Sequence, residues 1–223
     1  KKRIKKNIKF IVFHYTGMKS ENKAISRLTD VQSKVSCHYF VKRNGKIILM
    51  VPELFKAWHA GKSYWNNIKN LNNKSIGVEI QNFGHSHGYQ NYTKNQIKSI
   101  IKISNYLSKK YNIQRKNFLG HSDIAYDRKQ DPGEKFPWEK LAKSNIGIWH
   151  NINKNKLIKL RGSTISKFEE KQIKQYLKKI GYNVRNSSLS LLAKAFQRRF
   201  RQDLIKGKFD RECLVISKKL SNS

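Results

Sequence analysis

The chain has 223 residues, with 48 Lys+Arg against 14 Asp+Glu and a formal net charge of +34 at pH 7. That length admits one domain, or one with a small appendage, and an apolar share of 38% is enough for a core. No apolar run approaches the roughly 20 residues that span a bilayer, which excludes a membrane-spanning helix within the chain, while the charge favours polyanionic partners such as nucleic acid, acidic lipid or wall polymer.

In chain order, residues 8–15 read as a buried strand rich in Ile, Val and Phe, and residues 22–30 as a short helix. Residues 35–43 and 46–51 form a predicted hairpin about Asn44-Gly45. Residues 75–81 are another core strand. Thr93 is placed to cap a helix over 94–110, with Ile97, Ile100, Ile101, Ile103 and Leu107 on its apolar face. Phe118-Leu119 is a short strand leading to His121, and Pro137-Trp138 open a helix to about 143. Strands alternating with helices predict a mixed α/β domain with a central sheet. Residues 146–163, with Gly147, Asn-Lys repeats and Gly162, read as a linker or loose surface segment. Beyond it the pattern is helical: Ser166 to Ile180 closed by Gly181, Ser187 to Phe200, and Asp210 to Leu220.

The basic residues are spread along the chain, apart from the tip Lys1-Lys2-Arg3-Ile4-Lys5-Lys6 and the run Gln197-Arg198-Arg199-Phe200-Arg201. No nucleic-acid-binding motif accompanies them. The missing initial methionine reads as a processed or trimmed chain, consistent with removal of a signal peptide. Cys37 and Cys213 fall in different expected domains, so no disulfide joins them in this reading. Cys37 and His38 are strand neighbours pointing to opposite faces, which argues against a nucleophilic pair and for a buried free thiol.

His14 ends the apolar run Ile11-Val12-Phe13, His121 opens Gly120-His121-Ser122-Asp123-Ile124-Ala125, and Asp131 begins Asp131-Pro132-Gly133. Singly, a strand-end His is more often structural, and an Asp before Pro-Gly is usually a turn residue. Together, two imidazoles and one carboxylate suit zinc with a fourth position open for water. Glu79 lies within Ile76-Gly77-Val78-Glu79-Ile80, where burying a carboxylate is costly unless it is paired or functional. His85 and His87 have the spacing of a metal clip but no third ligand.

Seven segments occur in order: Phe13-His14-Tyr15-Thr16, Val35-Ser36-Cys37-His38-Tyr39, Val51-Pro52-Glu53, Ala57-Trp58-His59-Ala60-Gly61, Ser75-Ile76-Gly77-Val78-Glu79-Ile80, the His121 segment, and Lys129-Gln130-Asp131-Pro132-Gly133. This order resembles the zinc-dependent N-acetylmuramoyl-L-alanine amidases of the type 2 family over roughly residues 8–145. The likeness is greater to its envelope members than to its cytoplasmic ones. The run Ala195-Phe196-Gln197-Arg198-Arg199-Phe200-Arg201 with Gly207-Lys208-Phe209-Asp210 is similar to peptidoglycan-binding domains.

The resemblance implies a type 2 amidase fold, like that of peptidoglycan recognition proteins, over 1–145. A linker over 146–163 and a C-terminal three-helix bundle over 164–223 would follow. It implies one zinc ion on His14, His121 and Asp131, with Glu79 as acid/base and Lys129, not its neighbour Arg128, stabilising the oxyanion. Trp58, His59, Ala60, Gly61, Asn82 and Tyr39 would contact substrate. The expected reaction is hydrolysis of the amide between the muramic acid lactyl group and L-alanine, on peptidoglycan or muropeptides. The expected setting is a monomer in the envelope or periplasm, anchored or exported through a segment preceding this one. The alternatives are a non-catalytic peptidoglycan-recognition module, a polyanion-binding protein, and a phage-type lysin.

Overall fold

The computed structural model describes residues 2–185 and 188–222. β1 (Phe10–Tyr15) is followed by α1 (Glu21–Thr29), the hairpin β2 (Tyr39–Val41) and β3 (Ile47–Leu49), a second hairpin β4 (Tyr64–Trp65) and β5 (Ile68–Lys69), and β6 (Ser75–Ile80). Then come α2 (Lys94–Tyr111), β7 (Phe118–Gly120), α3 (His121–Ile124) and α4 (Trp138–Lys143). The order closes with α5 (Lys154–Leu160), α6 (Lys167–Ile180), α7 (Leu189–Phe200) and α8 (Arg211–Leu220). The main sheet runs β3-β2-β6-β1-β7; β3 pairs antiparallel with β2 and the other pairs are parallel. This is the expected mixed α/β fold.

β1 is apolar on both faces because both faces are covered. Ile11 and Phe13 join a core with Ile100, Ile103 and Leu107 of α2. Phe10 and Val12 join another with Ile173 and Leu177 of α6 and Phe196 of α7. The C-terminal helices therefore share one continuous core with the sheet. Local signals end their elements as expected: Thr93 with Gln96 forms a capping box for α2, and Ser166 with Glu169 one for α6. Gly181 closes α6 at φ 130°, where a Cβ would come 2.5 Å from the Trp65 ring.

Segment 146–163 departs from the expected loose linker. Ile146, His150 and Leu157 are buried, and Asn153 caps α5 by accepting from the amides of Asn155 and Lys156. Trp149 packs against both cores, so contacts distant in sequence order this stretch. The β4–β5 hairpin also escaped prediction. Its turn residues Asn66 and Asn67 take positive φ (47° and 63°), but strands of two residues are too short to show alternation. The expected start at Ser187 lies outside the described residues, and α7 is described from Leu189. Cys37 and Cys213 are buried and free.

Candidate active site and metal centre

β1, β6 and β7 run parallel, and the site gathers at their carboxyl ends. His14 and Glu79 are register partners on β1 and β6, and His121 follows β7 directly as the first residue of α3. Asp131 arrives on the next loop, tied back by the Ser122 amide donating to its carbonyl at 2.8 Å. His14 Nδ1, His121 Nδ1 and Asp131 Oδ2 lie 3.0 Å from one another, although 107 positions separate the two histidines. Among the described residues these three form a buried group able to hold a metal ion.

Burial, and next the neighbouring His121, push the His14 imidazole down to about 4, so it stands as a neutral donor. Burial opposes charge on Asp131, but the two imidazoles beside it hold its carboxyl well below the usual range. His121 Nε2 lies 3.2 Å from the Ala60 carbonyl, which can only accept. A proton on Nε2 would have its partner there, and Nδ1 faces His14 Nδ1 and Asp131 Oδ2. Neutral imidazole lone pairs and an ionised carboxylate are the donors that zinc takes.

These residues floor a cleft of about 320 Å³. Glu79 also lines it, and its Oε2 is buried without a hydrogen-bond partner among the described residues. Burial, and then the Asp131 charge, push this carboxyl up to about 8. Lys129 lines the cleft too, and its charge acts on both His14 and Glu79. Trp58, 46% exposed, stands at the rim with Arg27 and Arg128.

The remaining expected substrate contacts are placed differently. His59 borders the cleft, but its ring nitrogens face His14 and Ser75. Ala60 acts through its carbonyl, which accepts from Arg128 at 2.6 Å. At Gly61 (φ 55°) a Cβ would come 3.0 Å from that guanidinium. Tyr39 and Asn82 require correction. Tyr39 is register partner of Val78, on the α2 face of the sheet, and its hydroxyl donates to Glu53. Asn82 is spent on its own loop, donating to the Gln90 carbonyl at 2.8 Å and accepting from the Gly84 and Gln90 amides. His85 binds the Tyr15 hydroxyl and Glu134 at 2.8 and 3.0 Å, as part of a polar network beside the cleft.

The contribution of α7 was not foreseen. Arg199 forms a buried ion pair with Asp123 and donates to the Phe118 carbonyl at 2.9 Å. Tyr182 and the Gly120 amide both donate to the Asp123 carboxylate at 2.7 Å. Asp123 stands two residues after His121, so these bonds brace the turn presenting that imidazole. Arg198 reaches Gln130 at 3.4 Å and Glu134 at 3.8 Å, on either side of Asp131. Two arginines on the core side of a helix are a signal only once their partners are known. Arg199→Ala is expected to cost about 3–5 kcal/mol of stability by leaving Asp123 buried without its ion pair. A chemical-denaturation midpoint equal to the parent's would refute this.

A family model described as N-acetylmuramoyl-L-alanine amidase matches residues 4–134. The chain belongs to this amidase family. It is 33% identical to the N-acetylmuramoyl-L-alanine amidase AmiD of Escherichia coli, over 96% of this chain and 82% of the relative. The amidase fold superposes on E. coli AmiD, solved in complex with the substrate anhydro-N-acetylmuramic acid-L-Ala-D-gamma-Glu-L-Lys. The TM-score is 0.84 at 31% identity, covering 96% of this chain and 88% of that one. AmpDh3 from Pseudomonas aeruginosa matches with TM-score 0.85 at 28% identity, over 97% and 92% of the two chains. The 1,6-anhydro-N-acetylmuramyl-L-alanine amidase AmpD of E. coli is 36% identical over 48% of this chain and 57% of its own length.

Proposed function

We propose that this amidase hydrolyses the bond between the muramic acid lactyl group and L-alanine with one zinc ion held by His14, His121 and Asp131. The convergence of those three buried side-chain atoms at 3.0 Å is the observation that carries it. When bound, zinc lowers the pKa of water and polarises a carbonyl. The other roles belong to the chain. Glu79 takes a proton from the attacking water and returns it to the departing L-alanine nitrogen. Lys129 sets a positive charge beside the carbonyl oxygen as negative charge develops there. Trp58 offers an exposed aromatic face to the sugar or stem peptide at the cleft rim.

The C-terminal helices also serve in this reading to hold the enzyme on peptidoglycan, raising the local substrate concentration. The residues bearing that likeness, from Ala195 to Arg201, are buried against the rest of the fold, so contact with the wall falls to other surfaces of these helices. Net charge +34 favours the anionic cell envelope as the setting. Among the described residues, no helix is long and apolar enough to cross a membrane.

Metal-replete protein incubated with purified muropeptides is expected to release a peptide beginning with L-alanine, detected by mass spectrometry. A chelator should stop the release, and added zinc should restore it. Binding of muropeptide without release would favour a recognition module instead.

A further inference from the structure

We infer that His59 is a positioning residue for His14, fixing its tautomer through a hydrogen-bond chain that begins at the Leu71 carbonyl. This rests on His14 being a metal ligand, as proposed above. The direction of the chain follows from what each atom can do. The Leu71 carbonyl only accepts, and Ser75 Oγ lies 2.7 Å from it, so the single hydroxyl proton is donated there. Ser75 Oγ is then an acceptor for His59 Nε2, at the longer distance of 3.2 Å. A single N–H on the His59 ring therefore sits on Nε2, facing that oxygen. With that proton on Nε2, Nδ1 is bare and accepts from His14 Nε2 at 3.0 Å. With its own proton on Nε2, His14 leaves Nδ1 to face Asp131 and His121.

The sheet is shaped for this arrangement. Ser75, Gly77 and Glu79 alternate along β6 and so share one face. Ser75 orients the His59 ring, Glu79 lines the cleft, and Gly77 between them leaves space for that ring. A Cβ at Gly77 would come 2.4 Å from His59 Cγ. The His59 and Ala60 amides both donate to Asn72 Oδ1, at 3.1 and 2.8 Å, which locks the segment. The next carbonyl, Ala60, performs for His121 what the His59 ring performs for His14. Two adjacent residues thus hold both imidazole ligands from behind. The segment that the sequence suggested as substrate wall is, at these two positions, the back of the metal centre.

The test uses the full chain. His59→Phe keeps an aromatic ring over Gly77 but can neither accept nor donate. Its zinc affinity, measured by competition with a chromophoric chelator, is expected to fall about 10–100-fold. The visible spectrum of the cobalt-substituted protein should change with it. His59→Gln, whose amide accepts and donates, should recover most of the affinity. Ser75→Ala removes the link between the Leu71 carbonyl and His59 and should weaken zinc binding in the same direction, deciding the matter if the Phe variant does not fold. Parent-like zinc affinity in His59→Phe and Ser75→Ala, or a raised KM with unchanged zinc affinity, would overturn the inference. A parent protein that binds no zinc would instead bring down the functional reading on which it rests.

Discussion

Glu79→Gln is expected to lower kcat by at least about 100-fold, the usual contribution of a positioned acid/base group, while zinc content stays at one per chain. The substitution preserves volume and removes only the capacity to carry a proton. Glu79 is suited to that task because burial pushes its carboxyl up to about 8, and its Oε2 has no hydrogen-bond partner among the described residues. A cleft-lining carboxyl left free in this way can accept a proton in one step and donate it in the next. The chain supplies this poise through position: Glu79 lies between Val78 and Ile80, at the carboxyl end of a buried strand beside His14. Metal analysis together with single-turnover hydrolysis of a muropeptide checks both halves of the expectation. Loss of zinc in this variant would make Glu79 part of the metal's support.

His14→Ala should give the opposite pattern, with zinc and activity lost together. It removes one of three donors, so affinity should drop by more than the roughly 10–100-fold ascribed to groups behind a ligand. The vacated centre leaves Asp131 buried beside His121 alone. Because a metal that binds only the folded state stabilises it by mass action, zinc should raise the thermal midpoint of the parent and leave that of His14→Ala nearly unmoved. Equal zinc-induced shifts in the two proteins would remove His14 from the metal site.

Sequence logic succeeded where the physics is local. The apolar run ending in His14, the Asn44-Gly45 turn, the Thr93 and Ser166 caps and the Gly181 stop all act over a few residues, and each marks its element. It faltered where only a partner decides. Trp149 and His150 looked like part of a loose linker, because nothing nearby in the sequence reveals the cores and the Phe200 carbonyl they meet. Tyr39 closes one of the family motifs in sequence, and Asn82 follows another by two residues. Strand parity turned Tyr39 to the α2 face, and loop bonding consumed Asn82.

By itself, then, the sequence determined the α/β architecture, proposed the residue types of the candidate metal centre, and marked Glu79 as a carboxylate committed to a buried strand. Residue chemistry, apolar periodicity and ordered motifs are all carried by the linear chain. The tertiary structure alone decided that His14, His121 and Asp131 meet at 3.0 Å, that His59 stands behind His14, and that Arg199 braces the His121 turn through Asp123. Each of these is a buried polar group whose partner lies far away in sequence. Burial without a partner is costly, so the folded chain chooses the pairings that satisfy such groups, and no local pattern records that choice.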